Sequence, residues 1–183
     1  MAVSASAVLF ALVGTSLAGA ETASSSATTQ VISIELLKGK LKFVGPSTVA
    51  QGDQLEIVND TNPKQVGPHT FSLVTKGSLP KTGPQRQKCF SPKHICLSIA
   101  EWHGFNPKTE KITKNPAKAG PAGWSTMGSI SKKGDSWFTE TKGETIVQEV
   151  TAEPSTLYYI CAVHPWMQGQ VTVTPPPAAP LPG

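Results

Sequence analysis

Apolar and polar residues in this chain change places in short runs separated by Gly- and Pro-containing turns, a pattern of strands rather than of helices. Residues 31–37 alternate loosely and carry β-branched Val31, Ile32 and Ile34, which predicts a strand. Residues 41–44 are expected to continue it after a break at Gly39. Gly52-Asp53 marks a turn, and 55–59, with Ile57 and Val58, a short strand. Residues 60–68 hold Asn62-Pro63 and Gly67-Pro68 and read as a loop. Beyond it, His69, Phe71 and Leu73 recur with the two-residue period of one strand face. His69 is therefore expected at the mouth of a strand whose apolar neighbours point into the core. Strands resume at 136–138, 145–150, 157–160 and 170–174, the last two flanking 161–167 like the arms of a hairpin. The series predicts an all-β fold, a Greek-key β-sandwich or barrel over 31–174.

Residues 76–133 interrupt the pattern. They are rich in Lys, Gly and Pro, and only 95–102 reads as a short helix. A long, partly ordered insertion is expected, pinned by Cys89, Cys96, Trp102, Phe105 and Trp124. At the start, an apolar stretch leads to Ala18-Gly19-Ala20, which predicts a signal peptide over 1–20 cleaved after Ala20. The rival is a single-pass anchor, which needs about 20 apolar residues; Ser4, Ser6, Gly14, Thr15 and Ser16 interrupt this one. Residues 21–30 read as a flexible linker and 175–183 as a Pro-rich tail.

Composition narrows the function. Charged residues are 15% of the chain, against about a quarter in ordinary soluble domains. A net charge of +4, scattered along 183 residues, does not predict nucleic-acid binding. Three Cys is an odd number, which in an exported protein needs a reason. Cys89 and Cys96 can pair in an oxidising compartment, the alternative being two free thiols. Cys161 is then left over, and a metal would hold it as a protected thiolate.

The sequence around it is Tyr-Ile-Cys161-Ala-Val163-His164-Pro165-Trp166-Met167. A trigonal copper site uses one Cys, two His and a weak axial Met. This segment holds a thiolate, an imidazole and a thioether; His69, far upstream, is the candidate for the second imidazole. The thiolate is a soft donor, imidazoles suit both copper oxidation states, and a thioether binds weakly and tunes the potential. His94 and His103 lack a paired ligand pattern and read as surface or satisfied histidines, and Met127 as structural. Trp166 is equally compatible with the core and with an apolar docking patch beside His164.

With its Cys-x2-His-x2-Met spacing, the chain resembles the cupredoxin family of small blue copper proteins, over about 31–74 and 136–174. It is most similar to amicyanin-type members, whose loop is as short and also has Pro and an aromatic after the His; plastocyanin-like members have a longer His-to-Met gap. The resemblance implies His69, Cys161, His164 and Met167 as ligands of one type 1 copper ion. It implies an exported electron carrier, not an enzyme, that docks redox proteins near His164, Pro165 and Trp166, as a monomer with no transmembrane segment after cleavage. The alternatives are a copper storage or delivery protein, or an accessory electron donor to a copper enzyme. Two departures stand out. Thr70 occupies the place of a family Asn that braces the Cys loop. Val163 replaces a Pro, keeping an N–H expected to donate to the Cys161 sulfur and raise the potential.

Overall fold

Residues 27–112 and 117–178 are described by a computed structural model; the expected signal peptide and most of the linker lie outside the described residues, as does the tail from 179 on. The strands are β1 (Thr29–Leu37), β2 (Lys40–Val44), β3 (Thr48–Ala50), β4 (Gln54–Asn59), β5 (His69–Val74), β6 (Phe105–Asn106), β7 (Lys111–Ile112), β8 (Lys118–Ala119), β9 (Ser136–Thr139), β10 (Thr145–Glu149), β11 (Ser155–Ile160) and β12 (Gln168–Thr174). The helices are α1 (Pro63–Val66), α2 (Gly83–Gln87) and α3 (Ile95–Trp102).

Two sheets form a sandwich. One has the order β10-β4-β1-β2, the other β3-β12-β11-β5-β9-β8. The chain crosses between them at β2 to β3, β3 to β4, β4 to β5, β9 to β10 and β10 to β11, and both sheets mix parallel and antiparallel pairs. Alternation along β4 sends Leu55 and Ile57 inward, and β1 adds Ile32 and Ile34. They meet Phe71, Leu73, Leu157, Tyr159, Val171 and Val173 from the facing sheet. Burying such side chains contributes roughly 1.5–3 kcal/mol each, which makes this layer the main source of stability.

The expected continuation of the first strand through 41–44 is corrected. Lys38 and Gly39 both take positive φ, 50° and 74°, so the chain reverses there. β2 then pairs antiparallel with β1, as the second arm of a hairpin. A lone Gly reads as a break or a turn with equal ease, and the preceding Lys gave no warning of its left-handed backbone.

Where they are described, residues 76–133 combine exposed turns with a second buried cluster. The helix α3 spans the expected 95–102. Cys89 and Cys96 form a disulfide and are both buried. With Ile95, Ile99, Trp102 and Ala119 they make a second core against Val74, Ile160 and Ala162. Trp124 instead enters the main core, donating its indole N–H to the Leu55 carbonyl at 3.1 Å. The returning chain is tied by buried Asp135, which accepts the Ser125 and Thr126 backbone N–H groups and pairs with Lys118 at 3.4 Å. Consequently β5 is buried on both faces, every residue of it.

One close approach fixes the last two strands. Tyr159 of β11 stands opposite Gly169 of β12. A Cβ on Gly169 would collide with the Tyr159 ring, so the ring lies across the glycine.

Candidate metal centre

The ring of residue types singled out in the sequence meets at one end of the sandwich. His69 is the first residue of β5, held in register opposite Thr139 of β9. Cys161 and His164 lie in the connection between β11 and β12, whose last strand pair is Ile160 with Gln168. Two backbone bonds close that connection: Cys161 N–H donates to the Met167 carbonyl at 3.0 Å, and Met167 N–H to the His164 carbonyl at 2.8 Å. The donor atoms of His69, Cys161 and His164 lie within 4.8 Å of one another, and all three residues are buried. The Cys161 sulfur is 3.9 Å from His69 Nδ1 and 3.6 Å from His164 Nδ1.

Hydrogen bonding decides which nitrogen of His69 can bind a metal. Asn59 Oδ1 accepts the Thr61 backbone N–H at 3.1 Å and the Thr61 hydroxyl at 2.7 Å. The single Thr61 hydroxyl proton is thereby used. The 2.9 Å contact between Thr61 Oγ1 and His69 Nε2 must then be donated by the imidazole. His69 is the Nε2–H tautomer, and its Nδ1 lone pair faces the sulfur. The Asn59 amide is oriented in turn, donating to Thr139 Oγ1 and the Thr141 carbonyl. Burial, helped by the neighbouring His164, holds the His69 pKa down at about 4. Burial also lowers that of His164, opposed by a hydrogen bond with the backbone of Val66. Both rings are therefore kept neutral and ready to donate a lone pair.

Cys161 is fully buried, and burial pushes its thiol pKa up. Hydrogen bonds from the backbone of Thr70, His164 and Val163 and from the Thr70 side chain oppose this. The Thr70 N–H is 3.4 Å from the sulfur. Thr70 also braces the loop, accepting the Ala162 N–H on its hydroxyl oxygen at 2.9 Å. The threonine thus reaches both the sulfur and the backbone of the loop.

Met167 is 2% exposed and belongs to the same core cluster as Cys161. One thiol, two neutral imidazoles and a nearby buried thioether are soft and borderline donors; hard, oxygen-seeking cations do not suit them. This set fits one type 1 copper ion. Trp166 is 54% exposed and sets its ring edge-on to His164, with centroids 5.2 Å apart, so it is a rim residue and not core. Pro165 lies between them in sequence, on the same rim. His94 caps α3 and contacts Ser91 and the Pro92 carbonyl. Met127 packs against the main core. His103 is buried and bonded within the fold rather than at the surface. Asn59 and Thr61 were not foreseen, because no spacing in the sequence ties them to His69.

No family model and no curated protein matches the chain. Solved structures similar to it include auracyanin A, a blue copper protein from the green thermophilic photosynthetic bacterium Chloroflexus aurantiacus, at 21% identity and TM-score 0.41, covering 81% of this chain and 100% of that one. The purple cupredoxin from Nitrosopumilus maritimus is 14% identical with TM-score 0.39, over 80% and 99%. Amicyanin from Paracoccus versutus is 16% identical with TM-score 0.31, over 82% and 83%.

Proposed function

We propose that the chain is an exported type 1 copper protein that carries single electrons between redox partners, with His69, Cys161, His164 and Met167 as its ligands. The observation that carries this reading is the convergence of a buried thiol and two buried imidazoles, each with Nδ1 turned toward the sulfur. These residues would hold a copper ion that supplies a one-electron Cu(I)/Cu(II) couple.

The protein's part is to hold these donors still. His69 is fixed through Thr61 and Asn59, the loop through Thr70 and its own two backbone bonds. A preset donor geometry leaves little to rearrange when charge changes, which favours electron carriage over storage. Burial excludes water from the sulfur. His164, 8% exposed, is the ligand nearest the surface, and Trp166 beside it offers a short route to a docked protein. Exposed Leu36, Leu37 and Val163 give the described surface further apolar area, and Leu36, Val66 and Trp166 line a common groove with Lys40 and Lys42. A Cys89–Cys96 disulfide supports an oxidising compartment. Among the described residues, no helix is long and apolar enough to cross a membrane.

The test is optical. Adding Cu(II) to the metal-free protein is expected to produce an intense sulfur-to-copper charge-transfer band, and Cys161→Ser to abolish it. Absence of the band in the wild type, or its survival in the serine variant, refutes the reading. Rapid electron self-exchange separates a carrier from a storage or delivery protein.

A further inference from the structure

The face of β5 turned away from the main core carries two hydroxyls, Thr70 and Ser72, and both are buried. Ser72 Oγ lies 2.9 Å from Thr70 Oγ1, in a geometry where Ser72 is the donor. Ser72 Oγ also lies 2.7 Å from Ser136 Oγ on the neighbouring strand β9. Ser136 Oγ in turn lies 2.8 Å from His103 Nε2, just beyond α3. Four side chains from β5, β9 and the segment 76–133 thus form one continuous buried line toward the Cys161 sulfur.

Counting protons gives the line a direction. A hydroxyl has a single proton to donate. Ser72 donates its proton to Thr70, so it accepts from Ser136. Ser136 spends its proton on Ser72, so it accepts from His103, which must carry hydrogen on Nε2. At the other end, Thr70 Oγ1 accepts from Ser72 and from the Ala162 N–H, and the Thr70 backbone N–H lies 3.4 Å from the Cys161 sulfur, so the hydroxyl's one proton is left to turn toward that sulfur. Every donor in the line points the same way.

We propose that this one-way chain, from His103 through Ser136, Ser72 and Thr70 to the Cys161 sulfur, makes His103 a positioning residue that raises the reduction potential of the copper site. The proposal rests on the copper reading above. Hydrogen bonds aligned head to tail polarise one another, the more so in a low-dielectric interior. The last bond then draws electron density from the sulfur more strongly than a lone threonine hydroxyl would. A sulfur that gives less charge to the metal favours Cu(I), and hydrogen bonding around the Cys sulfur is an established lever on the potential of such sites. The segment 76–133 therefore acts on the metal centre without contributing a ligand.

Two measurements test this. In the metal-free full chain, nitrogen chemical shifts of His103 at mildly alkaline pH should show hydrogen on Nε2; an unprotonated Nε2 overturns the chain. In the copper-loaded protein, Ser72→Ala, Ser136→Ala and His103→Phe should each keep the charge-transfer band and lower the potential, the drop shrinking as the break moves away from sulfur. His103→Gln, which restores a side-chain N–H, should lie closer to the wild type than His103→Phe. Potentials equal to the wild type in all three breaking variants, with the band present, overturn the proposal. A wild type that shows no band refutes the copper reading instead, and the His103 tautomer then decides the chain by itself.

Discussion

The two faces of β5 put one short strand to two uses. The inner face, His69, Phe71 and Leu73, supplies a metal donor and two core residues. The outer face, Thr70, Ser72 and Val74, is as deeply buried, yet it is mostly polar and is covered by α3 and its neighbours. Burying hydroxyls is unfavourable unless each finds a partner; here each does. The contrast teaches that depth of burial alone does not mark a stabilising layer. One face stabilises through apolar contact, the other orders groups around a sulfur.

The comparison breaks most visibly at Phe71. Its ring meets Trp124, Tyr159 and Phe43, with centroids 5.2, 4.7 and 5.8 Å away. Phe71→Ala should cost about 3–5 kcal/mol, read as a fall in the urea midpoint of the metal-free protein. A cost no larger than that of Ser72→Ala would mean that the two faces do not differ in this way.

Tyr159, paired with Leu73 across the sheet, probes the same layer by pH. Burial raises its pKa from 10.0 to about 12. The fold therefore favours the neutral phenol: this contribution is fully present below pH 10 and is lost as pH rises through about 12. At about 1.4 kcal/mol per pH unit, the loss is roughly 3 kcal/mol. Unfolding followed between pH 9 and 12 should show this decline, and Tyr159→Phe should remove its share.

On the outer side, replacing Cys89 and Cys96 together by Ser frees a short loop of the cover. The loop-entropy relation puts the cost at about 2 kcal/mol. Chemical unfolding should show that loss while the charge-transfer band of the copper-loaded protein persists. Loss of the band would place the cover, and not only β5 and the loop, among the structures that assemble the donors.

Much of this was legible in the sequence because it is local. The residues from Cys161 to Met167 are a contiguous stretch, so their spacing already implied a shared site. The alternation His69, Phe71, Leu73 gave the inner face of β5, and α3 showed itself as an apolar run between turns. The hidden parts depend on contacts distant in the chain. Ser136 reaches Ser72 across a separation of 64 residues and His103 across 33. Ser and Thr carry no pattern that distinguishes a buried relay from a solvated turn. The β1–β2 hairpin was missed because the left-handed backbone of Lys38 has no signature in a lysine. The short β3 was missed because its three residues are too few to show alternation.

The glycine under Tyr159 has a consequence for how the final strands find each other. A one-residue slip in a strand pair would turn every side chain to the opposite face. Here a slip would slide the aromatic ring off its one vacant position and onto Gln168 or Gln170. Gly169 therefore works as an alignment key. Because Met167 stands two residues before it, the same key dictates that Met167, and not the neighbouring Gln168, takes the buried place whose carbonyl accepts the Cys161 N–H.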